Sequence, residues 1–262
     1  MTTPASRIGI DLIGAKGGVA TTAILGLTLF QDGVMSRHGL VSELPIFQQI
    51  GLPDWSSFVI AGHEIRRGLL FEEALWLSAK DHIVRSELLE QYREEFNAID
   101  RRIRLGTVFN VVPTIASLAD MDLPEDETPR QIIDRLRADF DEFVRAEQLE
   151  HLIVVNVAPT EPPLSASLPL TWADMDRLLD DPHYPLPAST LYAIAALVDA
   201  LAWCEAMRAI IASAHRSRPS CRKQVPGPTK NPCWKGASDD YTDSILCKEY
   251  KEYRPRIGDD CQ

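Results

Sequence analysis

The sequence predicts an α/β fold, a parallel sheet with helices on both faces, followed by an irregular C-terminal tail. Three observations carry this. An apolar run, Ile8-Gly-Ile-Asp-Leu-Ile13, leads through a glycine turn into a helix-forming stretch. Strand-like and amphipathic helical runs then alternate as far as about residue 200, the pattern of βαβ units. The composition, 45% apolar and 25% charged over 262 residues, is that of a globular chain able to bury one large core or two small ones.

In the opening unit Ile8, Ile10, Leu12 and Ile13 have the apolar density of a central parallel strand. Gly14, Gly17 and Gly18 allow a sharp turn and close approach of backbone N–H groups, and Thr21, Thr22 and the apolar run from Ala23 begin a helix. A helix N-terminus behind a glycine turn favours an anion, because free N–H groups and the positive end of the helix dipole converge there. Two phosphate loops compete for the stretch. Lys16-Gly17-Gly18-Val19 resembles the start of a P-loop, but Ala20 and Thr21 stand where that loop needs Gly-Lys to neutralise the β- and γ-phosphates. Nucleotide hydrolysis is therefore excluded. The dinucleotide loop GxGxxG is represented only as GxxGG, so phosphate binding is preferred here to a plain glycine turn between core elements.

Further along, Gly39–Glu43 reads as a short strand stopped by Pro45, and Phe58–Gly62 as another running into His63-Glu64. A long amphipathic helix is predicted from about Glu72 to about Arg102, and a β-rich run over Thr107–Val112 ended by Pro113. Thr128-Pro129 is a helix start, with Ile132, Ile133, Leu136, Phe140 and Phe143 as its apolar stripe. His151–Val157 reads as a buried strand, Thr171 caps a short helix, and another helix begins at Ala188. In such sheets ligands lie beyond the carboxyl ends of the strands. The polar residues there are Glu43, His63, Glu64, Asn156, Thr160 and Glu161, with Ala158 among them. Glu43, 25 residues after Gly18, stands near the offset of a ribose-binding carboxylate. Each has a plainer alternative, a solvated carboxylate or a structural histidine, but on one rim beside the glycine loop they point to a cofactor crevice.

The chain changes character near residue 198. Residues 1–198 hold 16 Lys+Arg against 29 Asp+Glu, while residues 199–262 hold 11 against 9. All five cysteines lie in the later stretch, at spacings of 17, 12, 14 and 14 without a CxxC pair, which argues against a zinc site. His215–Pro232 is basic and proline-rich without apolar periodicity, so residues 201–262 are expected to form a poorly ordered tail after a domain spanning 1–200. A net charge of −11 argues against nucleic acid and acidic membrane surfaces as partners. No apolar run reaches transmembrane length and no signal peptide is recognisable, so a cytoplasmic location is expected.

Five blocks in order carry a resemblance: Gly14–Thr22, Gly39–Pro45, Gly62–Arg66, Val154–Ala158 with Thr160-Glu161-Pro162, and Ala188–Ala193. Together they resemble the N-terminal half of the myo-inositol-1-phosphate synthase (inositol-3-phosphate synthase) family, in its shorter prokaryotic form, over about Ile8 to Leu197. The resemblance implies a Rossmann-type NAD domain, a homo-oligomer, and conversion of glucose 6-phosphate to inositol phosphate. In that reaction NAD⁺ oxidises C5, the adjacent carbon loses a proton, the enolate closes the ring, and NADH reduces the ketone. It also implies that Gly14, Ala15, Lys16, Gly17, Gly18, Val19, Ala20 and Thr21 hold the pyrophosphate. Glu64 would lie near the adenosine, Asn156, Ala158 and Thr160 along the nicotinamide, and Ser189 close to the cofactor. The family's catalytic lysines follow segments resembling NFTPS and DGKTGET, which this sequence lacks. The chain is thus expected to bind NAD without completing the reaction or reproducing the family's oligomer. Two alternatives stand beside this: another NAD-dependent dehydrogenase or epimerase, and a non-catalytic nucleotide- or partner-binding module.

Overall fold

Four parallel strands form one sheet in the order β3-β2-β1-β4. The strands are β1 Ile8–Ile13, β2 Phe58–Glu64, β3 Ile103–Leu105 and β4 His151–Asn156. The computed structural model describes residues 7–47, 49–81, 85–124, 126–159, 161, 169 and 171–197; Thr160 and the tail expected from residue 201 lie outside them. Parallel neighbours require crossovers. Helix α1 (Gly18–Gln31) joins β1 to β2, and α2 (Leu70–Asp81), α3 (Ser86–Leu89) and α4 (Arg93–Asp100) join β2 to β3. Helices α5 (Pro113–Ala116) and α6 (Pro129–Glu147) lead to β4, and α7 (Trp172–Leu178) and α8 (residues 188–197) follow it.

Successive side chains of a strand point to opposite faces, so the apolar run of β1 serves two cores. Leu12 packs with Ile24, Leu70, Phe71, Phe96 and Ile99 on the side of α1, α2 and α4. Ile13 packs with Ile132, Leu136, Phe140, Met175 and Leu191 on the side of α6, α7 and α8. Helices therefore cover both faces, as the sequence predicts. The predicted caps also form. The Thr128 hydroxyl accepts the Gln131 N–H while the Gln131 side chain accepts the Thr128 N–H, and the Thr171 hydroxyl accepts the Asp174 N–H.

Four expectations are corrected. Gly39–Glu43 is not a strand: Val41–Glu43 is a 3₁₀ turn in the crossover from α1 to β2, and the strands beside β1 are β2 and β4. Phe58–Glu64 is thus the second strand. The helix expected from Glu72 to Arg102 is divided into α2, α3 and α4, with a further 3₁₀ turn at Glu90–Tyr92. One straight helix of that length would run about 45 Å, too long for Phe71, Leu89 and Phe96 all to reach one core over strands of three to seven residues. The third strand is Ile103–Leu105 rather than Thr107–Val112, where the chain leaves the sheet after Gly106 and Asn110 takes a left-handed conformation at φ 49°. Finally, β4 is an edge strand rather than a buried one. No described residue pairs with its outer edge; Leu152 and Val154 pack on the α6 side, while Ile153 and Val155, on the opposite face, are 47% and 36% exposed. Among the described residues no helix is long and apolar enough to cross a membrane.

Candidate functional site

The three longer strands end level. Ile13 of β1 lies between His63 of β2 and Asn156 of β4, and the glycine loop rises from that line. Gly14 has φ +83°, a conformation L side chains rarely adopt, and a Cβ there would come 3.2 Å from the Ala158 Cα. Gly62 lets the loop settle onto the sheet, since a Cβ on it would meet the Leu12 carbonyl at 2.5 Å and the Ala15 Cβ at 2.6 Å.

Three consecutive N–H groups of the loop are committed to β2. Gly14 and Ala15 donate to the His63 carbonyl at 2.9 and 3.2 Å, and Lys16 donates to the Glu64 carboxylate at 2.8 Å. The Gly17 N–H returns to the Gly14 carbonyl at 2.9 Å. The first bond within α1 runs from the Thr21 N–H to the Gly17 carbonyl at 2.8 Å, so the N–H groups of Gly18, Val19 and Ala20 precede it at the helix start. Of the stretch Gly14–Thr21, residues 14–17 shape the loop and residues 18–20 present donors. The Lys16 ammonium does not face the cleft: it is buried against Asp100 at 3.1 Å. Thr21 is buried, its hydroxyl without a partner among the described residues.

Glu64 ends β2, where the fold places a ribose-binding carboxylate, but its oxygens are occupied. They accept from the N–H of Lys16 and Ile65 at 2.8 and 2.9 Å and from Arg66 Nε and Nη2 at 3.3 and 3.1 Å. His63, fully buried, has Nδ1 at 2.9 Å from Asp11 and Nε2 at 3.5 Å from Asp139, with the rings of Phe140 and Tyr192 edge-on beside it. Burial by itself lowers the affinity of this imidazole for a proton, but the hydrogen bonds and charges of Asp11 and Asp139 outweigh it and hold the imidazole above its ordinary range. Burial likewise keeps the Tyr192 phenol protonated, and its oxygen accepts the Thr107 N–H at 3.2 Å.

On the β4 side the Asn156 side chain accepts the Ala158 N–H at 3.0 Å, turning the chain outward at the strand end. Ser189, at the start of α8, gives its N–H at 3.0 Å and its hydroxyl to Glu161. These groups surround a cavity of about 210 Å³ at the carboxyl ends of β1, β2 and β4. Gly14, Gly17, Glu64, Asn156, Ala158 and Ser189 line it; Glu43 does not, being exposed on its 3₁₀ turn. Two lining features escaped the sequence reading. One is the apolar wall of Val111, Val112, Ile115 and Leu118, legible as helical spacing around α5. The other is Arg66, which lines the cavity close to the buried His63.

A 3-2-1-4 parallel sheet with helices on both faces and a glycine loop at the end of its central strand defines a Rossmann-type dinucleotide-binding protein. The chain belongs to the myo-inositol-1-phosphate synthase family, whose NAD-binding profile matches residues 8–207, reaching past the Leu197 at which the resemblance was expected to end. Its fold is similar to that of an inositol-3-phosphate synthase from Caenorhabditis elegans, at 17% identity and a TM-score of 0.56, covering 74% of this chain and 43% of that one. A myo-inositol-1-phosphate synthase-related protein from Thermotoga maritima is 20% identical over 73% of this chain and 44% of that one, with a TM-score of 0.46. The chain therefore spans less than half the length of either structure. No curated protein matches it significantly.

NAD is the cofactor of the family, and the loop beside the cavity offers donors that suit it. The N–H groups at residues 18–20 suit a pyrophosphate, and a Cβ on Gly18 would fill space that is otherwise open apart from Leu77 at 3.8 Å. The cavity is smaller than a dinucleotide requires, so part of the cofactor would lie outside it, along the loop.

Proposed function

We propose that this chain binds NAD across the carboxyl ends of β1, β2 and β4 and serves an inositol phosphate synthase-type reaction whose substrate is glucose 6-phosphate. The observation that carries the reading is the glycine loop. Four of its N–H groups are consumed in holding its shape, and the next three precede the first intrahelical bond at the start of a 14-residue helix. NAD bound there supplies the means to oxidise and re-reduce one carbon of a sugar phosphate. The chain's own residues then divide the work. Gly18–Ala20 would take the pyrophosphate, Asn156 and Ala158 would border the nicotinamide, and Ser189 would stand beside the cofactor.

The described residues do not supply the cation that such a reaction needs to stabilise an enolate and a developing alkoxide. Lys16 is turned away to Asp100, and Arg66 is paired with Glu64. The chain alone is therefore expected to bind NAD without turnover, residues 1–200 being the nucleotide domain and the place of action the cytoplasm. Calorimetric titration with NAD, beside an assay of glucose 6-phosphate conversion, tests both halves. Binding without conversion is expected. Absence of NAD binding overturns the reading, and conversion by the chain alone overturns its second half.

A further inference from the structure

Resting on the NAD reading above, we propose that the Tyr192 hydroxyl is the donor that orients the adenine ring of the bound dinucleotide against the apolar wall of the cavity. Tyr192 stands in α8, which follows β4, yet its oxygen reaches the other side of the site. There it accepts the Thr107 N–H at 3.2 Å, just beyond the end of β3. Gly106 makes room for it, since a Cβ there would come 2.9 Å from the Tyr192 oxygen. The residue is 5% exposed, and its ring packs edge-on to His63 with centroids 5.6 Å apart, so the hydroxyl has a fixed place.

A phenol can accept and donate at once. Accepting from Thr107 uses a lone pair and leaves the proton, for which no described residue supplies an acceptor. Burial keeps the phenol protonated, so it remains a donor. The other lining side chains buried as deeply are committed: the His63 ring lies between Asp11 and Asp139, and Glu64 is held by four donors. A buried donor without an acceptor is costly; in the wall of a cavity, what enters the cavity can satisfy it.

The neighbours of Tyr192 define what enters. Thr107 and the wall of Val111, Val112, Ile115 and Leu118 belong to one segment leaving β3. Branched aliphatic side chains suit the face of a flat ring, and a donor beside them reads an acceptor on its edge. Adenine carries ring nitrogens that accept, whereas the nicotinamide ring nitrogen of NAD⁺ is alkylated and leaves only an exocyclic carboxamide. The end of the second strand, here Glu64, is also where a Rossmann fold receives the adenosine ribose.

The test is calorimetric titration of the full chain with NAD and with ADP-ribose, which keeps the adenosine half and lacks nicotinamide. Tyr192→Phe should weaken both by the same factor, about three- to tenfold, the loss of one neutral hydrogen bond. A tyrosine ultraviolet difference signal on binding ADP-ribose should be present in wild type and absent in Tyr192→Phe, which a purely structural role would not produce. Leu118→Asp, at a position 49% exposed and so tolerant of the change, should weaken ADP-ribose at least about tenfold, and it decides the question if Tyr192→Phe does not fold. Affinities of folded Tyr192→Phe within about twofold of wild type, a loss for NAD alone, ADP-ribose failing to bind wild type that binds NAD, or unchanged ADP-ribose affinity in Leu118→Asp overturns the proposal. Wild type that binds neither ligand removes the NAD reading itself, and this proposal with it.

Discussion

The Glu64 carboxylate accepts the backbone N–H of Lys16 at 2.8 Å, tying the end of β2 to a loop 48 residues earlier in the chain. Beside it the His63 carbonyl holds Gly14 and Ala15. The second strand is thus the template on which the glycine loop is cast, and the shape of that loop depends on tertiary bonds more than on its own turn chemistry.

Two glycines of the loop should respond differently to substitution. Gly14 is held at φ +83° with Ala158 close by, so Gly14→Ala should lower stability by about 1–3 kcal/mol. A Cβ on Gly18 meets nothing nearer than Leu77 at 3.8 Å, so Gly18→Val should remain folded yet lose NAD affinity, because the branched side chain occupies the approach to the free N–H groups. Thermal unfolding with calorimetry on both variants checks this; unchanged NAD affinity in folded Gly18→Val would refute the loop assignment.

The Lys16–Asp100 pair should be structural. Lys16→Met leaves a largely buried carboxylate without its partner and should cost about 3 kcal/mol. Adding Asp100→Leu should restore most of that loss, since no lone charge then remains. Denaturant unfolding of the two single variants and the double variant measures the coupling. A double variant no more stable than Lys16→Met would show that the lysine acts elsewhere.

His63 should make stability depend on pH. Its proton affinity is raised in the fold by Asp11 and Asp139, relative to an ordinary value of 6.5. The protonated imidazole therefore contributes stability that is fully present below pH 6.5 and is lost as pH rises through the folded-state value. Asp139→Asn, which removes the partner at 3.5 Å, should be less stable than wild type at low pH, with the gap narrowing as pH rises. Chemical denaturation at a series of pH values reads this; a pH-independent difference would mean that His63 is neutral throughout.

The sequence by itself determined the class of fold, the glycine loop and the helix starts. These rest on local chemistry: the apolar run Ile8–Ile13, the clustered Gly14, Gly17 and Gly18, and caps such as Thr128 with Gln131, each acting within a few residues of itself. Only the tertiary structure decided which apolar runs become strands. Val41–Glu43 became a 3₁₀ turn in the crossover from α1 to β2, the charged run after Glu72 had to fold back to keep Phe71 and Phe96 in one core, and β4 was left at the edge. The same holds for the site. That Lys16 turns to Asp100, that Glu64 is consumed by the loop and Arg66, and that Glu43 stays outside the cavity follow from contacts between segments far apart in the chain, and no local pattern encodes such pairings.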